Sequence, residues 1–321
     1  MKKNLLFGII LSLLLLVSCQ QQTTTSQPVV SEPVVVTFNF IPDSTIKNNP
    51  FSVTLGIVNN GDTKISSNDF KVRVIEDYFK ASTSDISLSE ELDKESNAII
   101  SIDSITPTVD LPQNEMQRTY NLNLEYRFLY GGSSDIVMCF VNPITMYDAR
   151  KKAICSEAGN KISNSKNYIV LGNVDVKTAQ NYATLVFNFQ KVNSNVKVLP
   201  LKSIEFNNIR NYLTNKYKGN KEGFLLKLSS LPNYAENKDS YCLIPNEKGG
   251  YKKVSLQEMA TDHEVYLTGN SAQVKCKFVL SEEGKKNLDA PSYGFKDYIQ
   301  FAYTYVVIGK LTKAMTIINE G

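Results

Sequence analysis

The chain of 321 residues has one histidine, no tryptophan and five cysteines. These absences restrict the chemistry. The cysteines, Cys19, Cys139, Cys155, Cys242 and Cys276, include no C-x-x-C and no Cys/His cluster, so no zinc site is expected. G-x-S-x-G, H-E-x-x-H, G-x-x-x-x-G-K-[ST] and G-x-G-x-x-G are all missing. The single histidine, His263, lies between Asp262 and Glu264. On a strand those neighbours point to the opposite face, so they cannot orient it as a triad carboxylate would. It reads as a surface histidine. No catalytic residue, metal site or cofactor is assigned, although carboxylates distant in sequence can always meet in space.

Charge of one sign is lacking too. The formal net charge is +3, and it falls to +1 (33 basic against 32 acidic) once Lys2 and Lys3 are set aside. No global field would steer a polyanion, which argues against nucleic acid as a partner. No N-x-[ST] sequon occurs, so N-glycosylation is not expected. Apolar residues make up 42% and aromatics 10%, enough to fill real cores.

The long apolar run stands at the start. Met1-Lys2-Lys3 is a basic head, Leu5 to Val17 is apolar apart from Gly8 and Ser12, and Leu16-Val17-Ser18-Cys19 closes it. A positive head, an apolar run of this length and small residues before a cleavage point describe a secretory signal. A spanning helix needs about 20 apolar residues, more than this run supplies. The Leu-Val-Ser-Cys ending resembles the lipobox of prokaryotic lipoproteins. That resemblance implies a signal peptide over 1–18, lipidation of Cys19, and an extracytoplasmic protein tied to the cell membrane or outer membrane. Two acyl chains anchor stably where one holds only reversibly. Residues 20–32 (QQQTTTSQPVVSE) are polar and read as a flexible tether.

With Cys19 set aside for lipid, four cysteines remain, an even number in an exported chain. Their grouping predicts Cys139–Cys155 and Cys242–Cys276, one bond in each half.

From Pro33 the pattern becomes that of strands. Val34–Phe40 is β-branched and aromatic, Val53, Leu55 and Ile57 alternate, and Asn59-Asn60-Gly61-Asp62 ends that run. Ser87 and Glu90 have the spacing of a capping box and suggest a helical turn. Tyr120, Leu122, Leu124, Tyr126 and Phe128 alternate with polar residues, the period of a half-buried antiparallel strand. Gly131-Gly132 is expected as a turn leading to a return strand over 135–140. Residues 141–167 read as a polar connector. Strands resume over 168–176 and 182–189, with short candidates at 224–228, 241–244, 264–267 and 274–280. Residues 200–222 fit a strand or, through Ile209, Leu213 and Tyr217, a helix face. Ile299, Phe301, Tyr303 and Tyr305 alternate near the end, and Gly309-Lys310 is expected to turn into 312–318.

A shift of 177 residues puts Tyr126 on Tyr303 and Leu124 on Phe301, which suggests two copies of one module. The fold expected is mainly β: two antiparallel immunoglobulin-like β-sandwiches in tandem, over 33–160 and 161–321. Val53-Thr54-Leu55-Gly56-Ile57-Val58-Asn59-Asn60-Gly61-Asp62 resembles the strand and turn of CARDB-type domains in prokaryotic surface proteins. That resemblance implies an exported adhesion or spacer role and transfers no catalytic residues.

Three surface features have a bland reading. Glu90, Glu91, Asp93 and Glu95 lack the spacing of a calcium loop and read as a solvated loop, with calcium binding left open. Arg150-Lys151-Lys152 and Lys216, Lys218 and Lys221 read as solvated faces. Tyr120, Tyr126, Tyr303 and Tyr305 share positions with Leu and Phe and read as core. The function expected is a membrane-anchored surface lipoprotein, non-catalytic, that binds a surface protein or glycan. The alternative is a lipid-anchored hydrolase acting on cell-wall or surface glycan. Replacing Cys19 by Ala is expected to move the protein from the detergent to the aqueous phase in a partition assay. Retention in the detergent phase would contradict the lipid anchor.

Overall fold

A computed structural model describes residues 32–83, 85–142, 160–200, 221–289 and 294–319. Cys19, the tether, Cys155, the basic run 150–152, Lys216, Lys218 and most of the ambiguous stretch 200–222 lie outside the described residues.

The protein is mainly antiparallel β. The first half contributes β1 (Val34–Phe40), β2 (Ser44–Ile46), β3 (Phe51–Asn59), β4 (Phe70–Val74), β5 (Phe79–Ala81), β6 (Ile86–Ser87), β7 (Ser96–Pro107) and β8 (Gln117–Val141). Each strand follows from its period. In β3, Val53, Leu55 and Ile57 are fully buried while their neighbours are not. The strand ends where the Asn59 side chain closes the turn, donating to Thr63 O at 2.9 Å and accepting from Gly61 N at 3.2 Å. The capping-box spacing at Ser87 and Glu90 does not form a helix. Ile86–Ser87 pairs with β4, and Leu92 bridges Ile65, so burial of Leu88 and Leu92 holds this segment extended.

The second half contributes β9 (Lys161–Asn164), β10 (Ile169–Thr178), β11 (Tyr182–Lys191), β12 (Lys197–Leu199), β13 (Gly223–Ser230), β14 (Ala235–Pro245), β15 (Tyr251–Ser255), β16 (His263–Tyr266), β17 (Ser271–Leu280), helix α1 (Glu282–Asp289) and β18 (Gly294–Ile318). Residues 161–164 were expected in a connector, yet β9 pairs with β8, with Ile162 opposite Ile136. The helix went unread in the sequence, although Ser281 and two acidic residues mark its start. Ser281 Oγ accepts the Gly284 N–H at 3.2 Å.

Three sheets result. Four strands run β1-β3-β7-β5, five run β10-β11-β17-β14-β15, and a nine-stranded sheet follows β16-β13-β18-β8-β4-β6, with β2 and β12 on β18 and β9 on β8. Both outer sheets share one buried hydrophobic cluster with the nine-stranded sheet. Phe187 and Phe189 of β11 meet Phe301 of β18 edge to face, with centroids 4.8 and 5.6 Å apart. The halves repeat a strand order. In each, two strands pair and are joined by a third (β1-β3-β7, β10-β11-β17), and another strand flanks the long one (β4 on β8, β13 on β18).

The long strands correct the two glycine turns. β8 and β18 are each 25 residues long and pair without a register shift from Gly294↔Val141 to Ile318↔Gln117. Gly131, Gly132 and Gly309 lie inside them. They are needed for close approach. A Cβ on Gly309 would sit 2.1 Å from Cζ of Tyr126, and one on Gly132 would sit 1.6 Å from Nδ2 of Asn167. Tyr126 lies opposite Gly309 and Tyr303 opposite Gly132, so the 177-residue shift maps one cross-strand pair onto the other.

Cys242 and Cys276 stand directly opposite on β14 and β17 and are joined, as expected. Cys139 is also disulfide-bonded.

Gly309→Ala is expected to destabilise the fold by about 1–3 kcal/mol, the usual cost of overpacking. Gly56→Ala, whose Cβ would meet nothing closer than Thr37 Oγ1 at 3.6 Å, should stay within about 1 kcal/mol of the parent. Denaturant titration of both variants checks this, and equal stability of the two would refute the close-approach account.

Candidate functional site

Two sheets expose edges in the second half. β15 ends the five-stranded sheet and β16 ends the nine-stranded sheet. Between them opens a groove of about 480 Å³ lined by Ile244, Asn246, Glu247, Lys248, Lys252, Asp262, His263, Glu264 and Tyr266. A smaller cavity of about 160 Å³ shares Asn246 and Tyr266 and continues toward Tyr251 and Gln273.

The β14–β15 turn forms one wall. Asn246 Oδ1 accepts the N–H groups of Lys248 and Gly250, each at 3.0 Å, and Asn246 N donates to Gly250 O at 2.9 Å. Gly249 takes φ +85°, open to glycine at no steric cost. This bracing sets Glu247 and Lys248 at the groove mouth. The turn and β15 were missed in the sequence, although Asn246 followed by Gly249-Gly250 and a tyrosine-led run was the available signal.

The other wall is β16 with the 3₁₀ turn Glu258–Ala260 before it. Met259 is fully buried and anchors that turn. Glu258 Oε2 accepts from Ser255 N at 2.9 Å and Ser255 Oγ at 2.8 Å. Those two bonds hold the exposed carboxyl below the ordinary glutamate range.

His263 is placed by this turn. Its Nε2 lies 2.8 Å from Glu258 O, and a carbonyl can only accept, so Nε2 carries the proton. The Nε2 contact makes the ring a brace for the 258–263 turn. Beside it, Glu264 Oε2 accepts from the Tyr266 hydroxyl at 2.9 Å.

Other expected residues fall elsewhere. The acidic stretch 90–95 is solvated around buried Leu92, and Lys64 pairs with Glu91 and, at 3.5 Å, with Asp93. Among the described residues, no group of three or more His, Cys, Asp or Glu side chains is placed to hold a metal ion. Tyr126, Tyr303 and Tyr305 are buried, and Tyr120 is half-buried against the same core. Burial pushes the Tyr126 and Tyr303 hydroxyls up to about 12. These are core tyrosines.

No protein-family model matches the chain. No curated protein matches it either. Among solved structures, the chain is similar to the secreted serine protease VesC from Vibrio cholerae, at 10% identity over 84% of this chain and 50% of that one, with a TM-score of 0.19. The chain spans half the length of that protease, and a superposition this poor carries neither fold nor activity across.

Proposed function

We propose that this chain is a lipid-anchored surface protein that binds a surface protein or glycan without transforming it. The observation that carries the reading is the open groove between two sheet edges, lined largely by charged residues. Its walls come from a hairpin turn and an edge strand, the parts of a β-sandwich where binding residues collect on a rigid frame. Lys248 and Lys252 stand there with Glu247, Asp262 and Glu264, so both signs of charge are presented to a polar partner. The only histidine is occupied as a brace through Nε2. The basic head, apolar run and Leu-Val-Ser-Cys ending supply the anchor, and residues 20–32 supply the reach. Under this reading, 33–160 and 161–321 are the immunoglobulin-like modules named from sequence, here fused along β8 and β18.

Binding of the full-length chain in detergent to arrayed glycans and surface proteins tests the proposal. Lys252→Ala with Glu264→Ala is expected to weaken the strongest binder at least tenfold. Hydrolysis of an ester, peptide or glycan substrate, abolished by Asp262→Asn or Glu264→Gln, would replace this reading with the lipid-anchored hydrolase.

A further inference from the structure

The outward face of the five-stranded sheet carries a repeated side-chain pair. Inward positions of β11, β14 and β17 are buried Leu, Phe, Ile, Val and Cys, so the alternate positions face away from the core. On that outer face Lys277 stands over the Tyr182 ring at 4.6 Å, Lys253 over Tyr241 at 4.1 Å and Lys275 over Tyr251 at 5.0 Å. The register orders the three pairs. Lys277 pairs with Thr184 on one side and Tyr241 on the other, and Lys275 sits between Val186 and Leu243, which in turn faces Lys253. Neighbouring strands lie about 4.8 Å apart and alternate residues about 7 Å apart, so the backbone positions of the three lysines recur about every 7–10 Å.

No carboxylate interrupts the central rows. Thr184, Val186, Gln273, Tyr241 and Leu243 surround the lysines, while Asp175, Glu236 and Glu258, whose carboxylate accepts from Ser255 Oγ, lie at the margins. Among the described residues none of the three lysines forms an ion pair. Tyr182 and Tyr251 are 40% and 44% exposed, unlike the core tyrosines. The face therefore offers fixed positive charge beside aromatic surface, three times over.

We propose that this sheet face binds an acidic polysaccharide, a polymer of carboxylated sugars laid across the strands. The charge is complementary, and each sugar offers both things that a Lys–Tyr pair can hold. Its carboxylate meets the ammonium, and its hydroxyl groups can bond the tyrosine hydroxyl. A repeated site fits a repeated ligand, because every unit engaged raises the effective concentration of the next. Rings capped by ammonium groups are unsuited to insertion among acyl chains, which disfavours a membrane as occupant. The face shares no residue with the larger groove and meets the smaller cavity at Tyr251 and Gln273; it shares with the proposed function the premise that this chain is a binding protein.

The test uses the full-length chain in detergent with polygalacturonate as probe, neutral dextran as control and phosphatidylglycerol vesicles as the lipid arm. Lys253→Gln/Lys275→Gln/Lys277→Gln is expected to weaken polygalacturonate binding at least tenfold and flatten its salt dependence. Tyr251→Ser/Tyr182→Ser should weaken it severalfold with the salt dependence kept, and dextran should not bind. Unchanged thermal unfolding confirms that the variants fold. Equal affinity of the lysine variant and parent would overturn the proposal, as would indifference to the tyrosines or vesicle binding with the same lysine dependence. Loss of polygalacturonate binding in Lys252→Ala/Glu264→Ala, with the face variants unaffected, would overturn the face as the site and leave the groove reading standing.

Discussion

Everything in this structure depends on one pairing, the in-register ladder of β8 and β18. It runs 25 residues and joins the two halves in a single nine-stranded sheet. Such a ladder satisfies backbone groups that would otherwise stand along two open edges. It also sets where aromatic rings can lie. Tyr130 faces Tyr305 across the pair, and the hydroxyls of Tyr305 and Tyr168 tie down both halves. Tyr305 Oη accepts the Tyr168 N–H at 3.0 Å, and Tyr168 Oη donates to Val34 O at 2.7 Å. The start of β1 and the residue leading into β10 are thereby pinned near the centre of the ladder. Complete burial raises the Tyr305 hydroxyl well above its ordinary value, so it stays a neutral donor and acceptor at any ordinary pH.

The sequence was informative wherever one face is buried and the other is not. Leu122 to Phe128 and Ala183 to Phe189 alternate because a slip of one residue would turn every apolar side chain to solvent. The 177-residue recurrence was legible for the same reason. What failed was the reading of glycine. Gly-Gly between alternating runs is a turn signal when only local chemistry is weighed. At Gly131-Gly132 and Gly309, a contact distant in sequence decides, since the space belongs to Asn167 and Tyr126. The failed capping box has the same origin, because Leu88 and Leu92 bury against the sheet and override a local preference.

The candidate site was only partly visible. Asp262, His263 and Glu264 drew attention as the one histidine and its neighbours, but Glu247, Lys248 and Lys252, which line the same groove, come from a hairpin of the other sheet that packing brings near. The lysine–tyrosine face was invisible for a different reason. Tyr182 lies far in the chain from Tyr241 and Tyr251, and exposed tyrosine cannot be told from core tyrosine until the sheet assigns each a side. A disulfide between Cys242 and Cys276 fixes β14 against β17 beneath that face.

If the β8–β18 ladder is the constraint on which the rest hangs, the two halves cannot unfold independently. Differential scanning calorimetry of the chain, disulfides intact, addresses this most directly. The account predicts one transition whose calorimetric and van't Hoff enthalpies agree, as for a single cooperative unit. Two resolved transitions, with one half melting while the other keeps its structure, would contradict it.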